Sequence, residues 1–172
     1  MNCGKEPLDF SYFILYTSFS RNTNHVSQNE EIKGIYGSMM SQLESNNHSV
    51  FSLNYHLILV VKYRRNVITD EISDRLYEIF RYIQPDYNIT MRTWNHDGDH
   101  IHVLFTAHPN TPISKFINAY KSASSRLIKK EFPEIRKKLW KDAFWSKSFC
   151  LLSTGGAPIE IIEQYIERQG EK

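Results

Sequence analysis

Apolar and polar residues alternate from Val50 to Lys62, where the apolar side chains stand at Leu53, Tyr55, Leu57, Leu59 and Val61. Such alternation puts the two kinds of side chain on opposite faces of a β-strand. Helical spacing follows, in the apolar residues Ile72, Leu76, Ile79, Phe80 and Ile83. Thr69 can cap this segment and Pro85 ends it. The pattern predicts a strand and then a helix.

The next apolar runs predict two strands, at about 89–96 and 100–107. Between them lies Asp97-Gly98, a dipeptide suited to the positive φ angles of a tight turn. The sequence therefore predicts a β-hairpin.

Two helices separated by a strand are predicted after the hairpin. Thr111 can cap the first helix and Pro112 suits its first position, so that it runs to about Glu131. The later elements are a short helical piece at 133–139, a strand at 144–153 and, after Gly155-Gly156, a helix at 158–169. The order strand, helix, strand, strand, helix, strand, helix predicts an α+β fold, an antiparallel sheet with helices packed on it.

Residues 1–47 have no sustained period, and Met39 and Met40 lie near their end. We interpret them as a flexible extension or the product of a misplaced start codon. Residues 48–172 form the single predicted domain, because a chain of 172 residues with 41% hydrophobic content has the size and apolar content of one core.

Positive charge is concentrated in one part of the chain. Residues 1–47 carry three bases against five acids, whereas residues 112–147 carry ten bases against three acids. That local excess indicates a polyanionic partner.

The remaining composition favours a cytoplasmic protein. Cys3 and Cys150 match no disulfide or metal-binding spacing, so we expect both thiols to be reduced. The apolar run 10–16 is too short to span a bilayer and lacks the flanks of a signal peptide. We expect no membrane role.

Chemistry is first indicated by His100-Ile101-His102, which places two imidazoles on one face of a strand. Two such imidazoles can bind one metal ion. The pattern alone is weak, because seven histidines would produce a chance His-x-His in roughly one such sequence in four.

Tyr165 and Gln169 form a second pair, spaced four residues apart and therefore on one face of the last helix. Taken alone, Tyr165 is also explained as a boundary residue with a packed ring and a wet hydroxyl.

A third pattern is the predicted helix 112–131, whose polar face carries bases with no acid between them. Solvated helix faces usually mix charges, so this face favours phosphate contact. Lys62-Tyr63-Arg64-Arg65 adds bases beside an aromatic that can stack. The predicted DNA-binding residues are Lys62, Arg64, Arg65, Lys115, Lys121, Ser125, Arg126 and Lys129.

Several motifs occur together between His48 and Gln169. They are Asn54-Tyr55-His56, Lys62-Tyr63-Arg64, Asn95-His96-Asp97, Asp99-His100-Ile101-His102, Lys121-Ser122-Ala123-Ser124-Ser125-Arg126, Gly155-Gly156 and Tyr165-Ile166-Glu167-Arg168-Gln169. In this order they resemble the single-tyrosine HUH transposases of the smallest bacterial and archaeal insertion sequences, the transposase IS200-like family.

The resemblance implies a site and a reaction. His100, His102 and Gln169 would bind Mg²⁺ or Mn²⁺, and Tyr165 would attack the scissile phosphate to form a 5′-phosphotyrosine. The substrate would be single-stranded DNA with hairpin ends, and no small-molecule substrate is implied. A homodimer, in which each last helix delivers its tyrosine to the partner's histidines, is also implied.

Three alternatives differ in function. Histidine-triad nucleotide hydrolases also carry His-x-His on a strand but need a third alternating histidine. Position 104 is leucine, which argues against this class. A non-catalytic RNA-recognition module shares the order of elements and would not need Tyr165. A domesticated HUH tyrosine nuclease would share the chemistry without belonging to a mobile element.

Overall fold

Antiparallel β-strands form the scaffold in the computed structural model, which describes residues 44–45, 50–154 and 159–168. The strands are β1 (Glu44–Ser45), β2 (Val50–Phe51), β3 (Asn54–Val60), β4 (Ile89–Asp97), β5 (His100–Ala107) and β6 (Cys150–Ser153). β1 and β2 pair with each other. The other four form one antiparallel sheet in the order β4-β5-β3-β6. The predicted α+β class and antiparallel sheet are confirmed.

The main core lies on one face of this sheet, under helices α1 (Asp70–Ile83) and α2 (Ile113–Glu131). Leu57 and Leu59 face it from β3, and Ile101, Val103 and Phe105 face it from β5. Phe80 is fully buried at its centre, where its ring contacts the rings of Trp94, Phe105, Phe116 and Tyr120. The predicted alternation of β3 is thereby confirmed.

A third helix, α3 (Ile159–Glu167), packs on the opposite face. Ile162 and Ile166 bury against Leu104 of β5. The side-chain amide of Asn95 on β4 donates to the carbonyl oxygens of Ile166 and Glu167. These carbonyls lie in the last turn, where a helix leaves its acceptors without partners, so Asn95 anchors the end of α3.

Two capping residues were predicted, Thr69 and Thr111, and one is correct. The Thr69 hydroxyl accepts from the Ile72 N–H at 3.4 Å, as a capping residue should. Thr111 does not cap α2, because its hydroxyl donates to the Tyr87 carbonyl at 3.0 Å and the helix begins at Ile113. A tertiary contact has replaced the local cap.

The predicted strand bounds and the predicted turn geometry need correction. The strand expected at 50–62 is interrupted after Phe51 and ends at Val60, followed by a 3₁₀ turn at Lys62–Arg64. The strand expected at 144–153 is reduced to β6, with Trp145 forming an isolated bridge to Val61. The hairpin is present, but neither Asp97 nor Gly98 has a φ in the left-handed region.

Several predictions fall on residues outside the described part of the chain. These are the boundary near residue 47, Cys3, the Gly155-Gly156 joint and Gln169. Cys150 is a free thiol. No helix among the described residues is long and apolar enough to cross a membrane.

Phe80→Ala should lower the free energy of unfolding by about 3–5 kcal/mol, because the cavity would lie among four aromatic rings. Urea unfolding followed by circular dichroism measures this change. Tyr82→Ala is the matched control, since this side chain of the same helix is 84% exposed and its loss should cost less than about 0.5 kcal/mol. Equal losses in both variants would contradict the assignment of Phe80 to the core.

Candidate metal and nucleophile site

His100 and His102 lie on the same face of β5, as their spacing predicts. Their ring centroids are 4.9 Å apart. Both side chains are buried. The residues between and beyond them, Ile101 and Val103, point into the main core.

A third imidazole, that of His56 on β3, joins the pair. Its Nε2 lies 2.9 Å from Nδ1 of His102, and the two rings are stacked with centroids 5.1 Å apart. Burial lowers the pKa of His56 to about 4. Burial, reinforced by His56 and His100, lowers the pKa of His102 to about 3. Both imidazoles are therefore neutral at neutral pH, which is the form that binds metal ions.

An ion pair orients His100 from the other side. The Asp99 carboxylate accepts from Nδ1 of His100 at 2.6 Å and from Nε of Arg64 at 2.7 Å. Burial alone would raise the pKa of Asp99, but the hydrogen bonds from Arg64 and His100 outweigh burial and the pKa is lowered. Because Nδ1 of His100 is occupied by Asp99, Nε2 is the nitrogen left for another ligand.

The donor atoms fit a divalent metal ion. Nε2 of His102 is buried and has no hydrogen-bond partner among the described residues. A buried nitrogen without a partner is costly, and a metal ion would satisfy it. If Nδ1–H of His102 donates to His56, the free lone pair is on Nε2. Asp97, Asp99 and His100 also bring ligand atoms within 4.8 Å of one another and could hold a metal ion, although Asp99 already bonds Arg64 and His100.

Tyr165 lies on α3, over the sheet face that carries the histidines. Its half-buried ring packs against the cluster of Leu104, Ile162 and Ile166. The ring centroid is 6.4 Å from that of His56, in an edge-to-face arrangement. Tyr165 and the three histidines therefore come together within one chain.

Part of the predicted DNA-binding set lines one groove of about 560 Å³ beside α2. The predicted residues in its walls are Lys121, Ser125, Arg126 and Lys129, and Arg136 and Lys147 add two further bases. No acid lies between the bases on this face of α2, as predicted, but an acid from a separate turn lies beside it. Asp142 accepts from Nζ of Lys129 at 2.9 Å.

The other predicted DNA-binding residues lie elsewhere. Arg64 is paired with Asp99, and Lys115 is exposed on α2 outside the groove. Lys62 is in the 3₁₀ turn after β3. Arg65 lines a second depression, of about 440 Å³.

Three residues with clear contacts received no role from the sequence: His56, Asp99 and Asn95. Each belongs to a recognised motif, and Asp99 directly precedes His100, where a carboxylate next to a possible ligand is a usable signal. Finding His56 and Asn95 would have required knowledge of the strand register. His102 is paired with Asn95 of β4 on one side and with Ile58 of β3, two residues from His56, on the other.

Known transposases resemble this chain in sequence. Residues 49–169 match the family model described as transposase IS200-like. The ISDra2 transposase TnpA of Deinococcus radiodurans is 37% identical over 123 residues, which cover 72% of this chain and 88% of that protein. The transposase for insertion sequence element IS200 of Salmonella typhimurium is 26% identical over 125 residues, covering 73% and 82%.

Solved structures show the same fold. The crystal structure of a candidate transposase from Deinococcus radiodurans R1 has a TM-score of 0.60 and 32% identity, covering 75% of this chain and 99% of that one. A REP-associated tyrosine transposase bound to a REP hairpin has a TM-score of 0.54 and 12% identity, covering 73% and 70%, and shares the fold alone. The chain belongs to the family of IS200-like transposases, enzymes that cleave DNA and transfer its strands.

Proposed function

We propose that this transposase cleaves and rejoins single-stranded DNA at the hairpin-flanked ends of an insertion sequence, through a 5′-phosphotyrosine at Tyr165. The observation that carries the proposal is the packing of Tyr165 over the buried histidines, with its ring centroid 6.4 Å from that of His56. Such a reaction requires a nucleophile close to nitrogens that can bind a metal ion, and Tyr165 lies on the side of the sheet that carries the histidines.

The reaction is a transesterification. The Tyr165 oxygen attacks the scissile phosphorus, the bond from phosphorus to the 3′ oxygen breaks, and the proton lost by the phenol is balanced by the one that the 3′-hydroxyl gains. Because the phosphodiester bond is exchanged rather than hydrolysed, a later attack by a 3′-hydroxyl can rejoin DNA without ATP. A phenol with a pKa of about 10 is mostly un-ionised at neutral pH and needs activation.

His100 and His102 would hold a divalent ion through their Nε2 atoms, with Gln169 as a third ligand. When bound, the ion would polarise the scissile phosphate and offset its developing negative charge. Asp99 and His56 would keep the two ligand rings in orientation by bonding their Nδ1 atoms. Imidazole ligands make Mn²⁺ at least as suitable as Mg²⁺.

The substrate proposal has two supports. The REP-associated transposase that shares the fold was solved bound to a REP hairpin. The groove beside α2 collects Lys121, Arg126, Arg136 and Lys147, which suit a phosphate backbone.

The tyrosine variant tests the nucleophile. Wild-type protein, single-stranded DNA with the element's own flanking palindromes and Mn²⁺ should yield a covalent adduct on a denaturing gel. Tyr165→Phe should yield none while its affinity for the DNA stays within about twofold, because only the attacking oxygen is lost. Tyr82→Phe, an exposed tyrosine on α1, is the control. An adduct formed by Tyr165→Phe would exclude Tyr165 as the nucleophile.

We further propose a homodimer in which α3 leaves the place it has in this structure, over the histidines of its own chain, and delivers Tyr165 to the partner's histidines. Mixing Tyr165→Phe with a His100→Ala/His102→Ala variant under subunit exchange would then restore one intact site. The adduct should appear on the histidine variant, which carries the only tyrosine able to react. If heterodimers form and the mixture stays inactive, each site is completed within one chain.

Metal binding is tested by the ligand variants. His100→Ala or His102→Ala should abolish cleavage and lower Mn²⁺ affinity measured by calorimetry, with hairpin binding retained, because phosphate contact and metal chemistry use different residues. Asp97→Asn separates the two possible ligand groups and should change Mn²⁺ affinity by less than about threefold if the histidines are the ligands. A larger loss in Asp97→Asn than in His102→Ala would favour the Asp97, Asp99 and His100 group.

The groove beside α2 is tested by salt dependence. Lys121→Ala/Arg126→Ala should weaken hairpin binding and reduce the slope of log affinity against log salt by about one to two units. The reason is that each phosphate contact that is lost lowers the number of counterions released on binding. Arg81→Ala/Lys130→Ala removes the same charge at residues that do not line the groove. Equal slopes in the two variants would show that the groove does not contact phosphate.

A further inference from the structure

Two exposed aromatic side chains meet at a place that the metal and nucleophile site does not use. Tyr63 is 58% exposed and Trp140 is 40% exposed. Their rings lie edge to face, with centroids 5.0 Å apart. Large aromatic rings that remain in solvent add little to the stability of the fold, and adjacent exposed rings indicate a binding surface.

The backbone holds the two rings in place. Tyr63 lies in the turn after β3 with φ of 58°, and Lys141, next to Trp140, has φ of 47°. The N–H of Lys62 donates to the Phe144 carbonyl at 2.8 Å and so ties the two segments together. Residues other than glycine rarely adopt this left-handed conformation, so both turns are constrained by their surroundings.

Cations surround the pair. Nζ of Lys62 lies 4.5 Å from the Tyr63 ring centroid, and Nζ of Lys141 lies 4.6 Å from that of Trp140. Beside Trp140 is the depression of about 440 Å³, lined by Arg65, Asn66, Lys137, Lys138, Leu139 and Lys141. None of these lining residues is an acid. Aromatic faces among clustered lysine and arginine side chains match a nucleobase with its flanking phosphates.

One ion pair connects this place to the candidate metal site. Arg64 directly follows Tyr63, and its guanidinium holds Asp99, which in turn accepts from Nδ1 of His100. These contacts link the turn that carries Tyr63 directly to His100.

We infer that Tyr63 and Trp140 form a stacking platform for one unpaired base of the single strand beside the cleavage position, in which the base stacks on one ring and lies with its edge against the other, perpendicular ring. The neighbouring phosphates would contact Lys137, Lys138 and Lys141. Every base has an aromatic face, so the platform would select unpaired nucleotides rather than a particular sequence. The inference rests on the proposed function, because it takes single-stranded DNA as the substrate.

Binding to DNA with missing bases tests the platform. The full chain with Tyr165→Phe, which cannot react, is titrated with a fluorescent hairpin carrying a single-stranded flank, and each flank nucleotide in turn is replaced by an abasic one. One position should lower affinity on the order of tenfold. Adding Tyr63→Ala and Trp140→Ala should lower the affinity for intact DNA by a similar factor and abolish the effect of that abasic position. Blunt hairpin binding should change by less than about twofold.

Matched variants separate stacking from loss of structure or charge. Trp140→Phe retains an aromatic face and should keep most of the affinity, whereas Tyr82→Ala removes an exposed ring on α1 and should change nothing. Where Trp140→Ala does not fold, as judged by thermal unfolding, Tyr63→Leu provides the same comparison. An abasic profile that is unchanged by the platform variants would overturn the inference, as would equal losses on flanked and blunt hairpins.

The two proposals fail in different experiments. A missing covalent adduct, with the platform-dependent abasic position still observed, refutes the tyrosine chemistry and leaves the platform. An adduct without that abasic position refutes the platform alone.

Discussion

The burial of three imidazoles between the sheet and α3 is the constraint on which the site depends. A buried ring nitrogen must have a partner, and the fold supplies one for Nδ1 of His102 through His56 and one for Nδ1 of His100 through Asp99. The same burial lowers the pKa of His56 and His102 and keeps their rings neutral. Because the Nδ1 atoms of His100 and His102 are held in this way, only their Nε2 atoms are left for a further ligand, and Nε2 of His102 has no partner among the described residues. In the proposed site, metal affinity would therefore depend on hydrogen bonds to atoms that the metal ion does not contact.

Local patterns in the sequence were enough to predict the elements and part of the site. The alternation of side chains along a strand places His100 and His102 on one face. Helical spacing places Phe80 on the buried side of α1, and the residue type of Thr69 identifies it as the cap. Contacts set by the tertiary structure could not be predicted in this way. The register of β3 against β5 brings His56 to His102, a folded turn brings Asp142 to Lys129, and the Tyr87 carbonyl takes the Thr111 hydroxyl away from α2. In each case the partner comes from a distant or separately folded segment, and a single sequence contains no direct signal for that pairing.

The irregular segment between α2 and β6 links the basic surfaces. A strand was expected over 144–153, yet residues 144–147 form part of the groove beside α2, and residues 139–141 line the depression beside Trp140. Among the described residues 144–149, the backbone bonds the sheet at the single bridge between Trp145 and Val61. Phe144 and Trp145 bury their rings against the core, and Lys141 and Lys147 stay on the surface. Buried aromatics thus fix a connection whose charged residues remain exposed.

The two faces of the sheet differ strongly in the apolar surface that they bury. Under α1 and α2 lies a core of twenty-two buried residues, whereas the α3 side has only Leu104, Ile162 and Ile166 fully packed among the described residues. Burying one isoleucine side chain contributes roughly 1.5–3 kcal/mol, so the apolar contacts of α3 amount to a few such increments, supplemented by the Asn95 hydrogen bonds. Opening contacts of this size costs a small fraction of global unfolding. Tyr165, the proposed nucleophile, thus lies on a helix whose described apolar contacts with the sheet are few, as the proposed exchange of α3 between protomers would require.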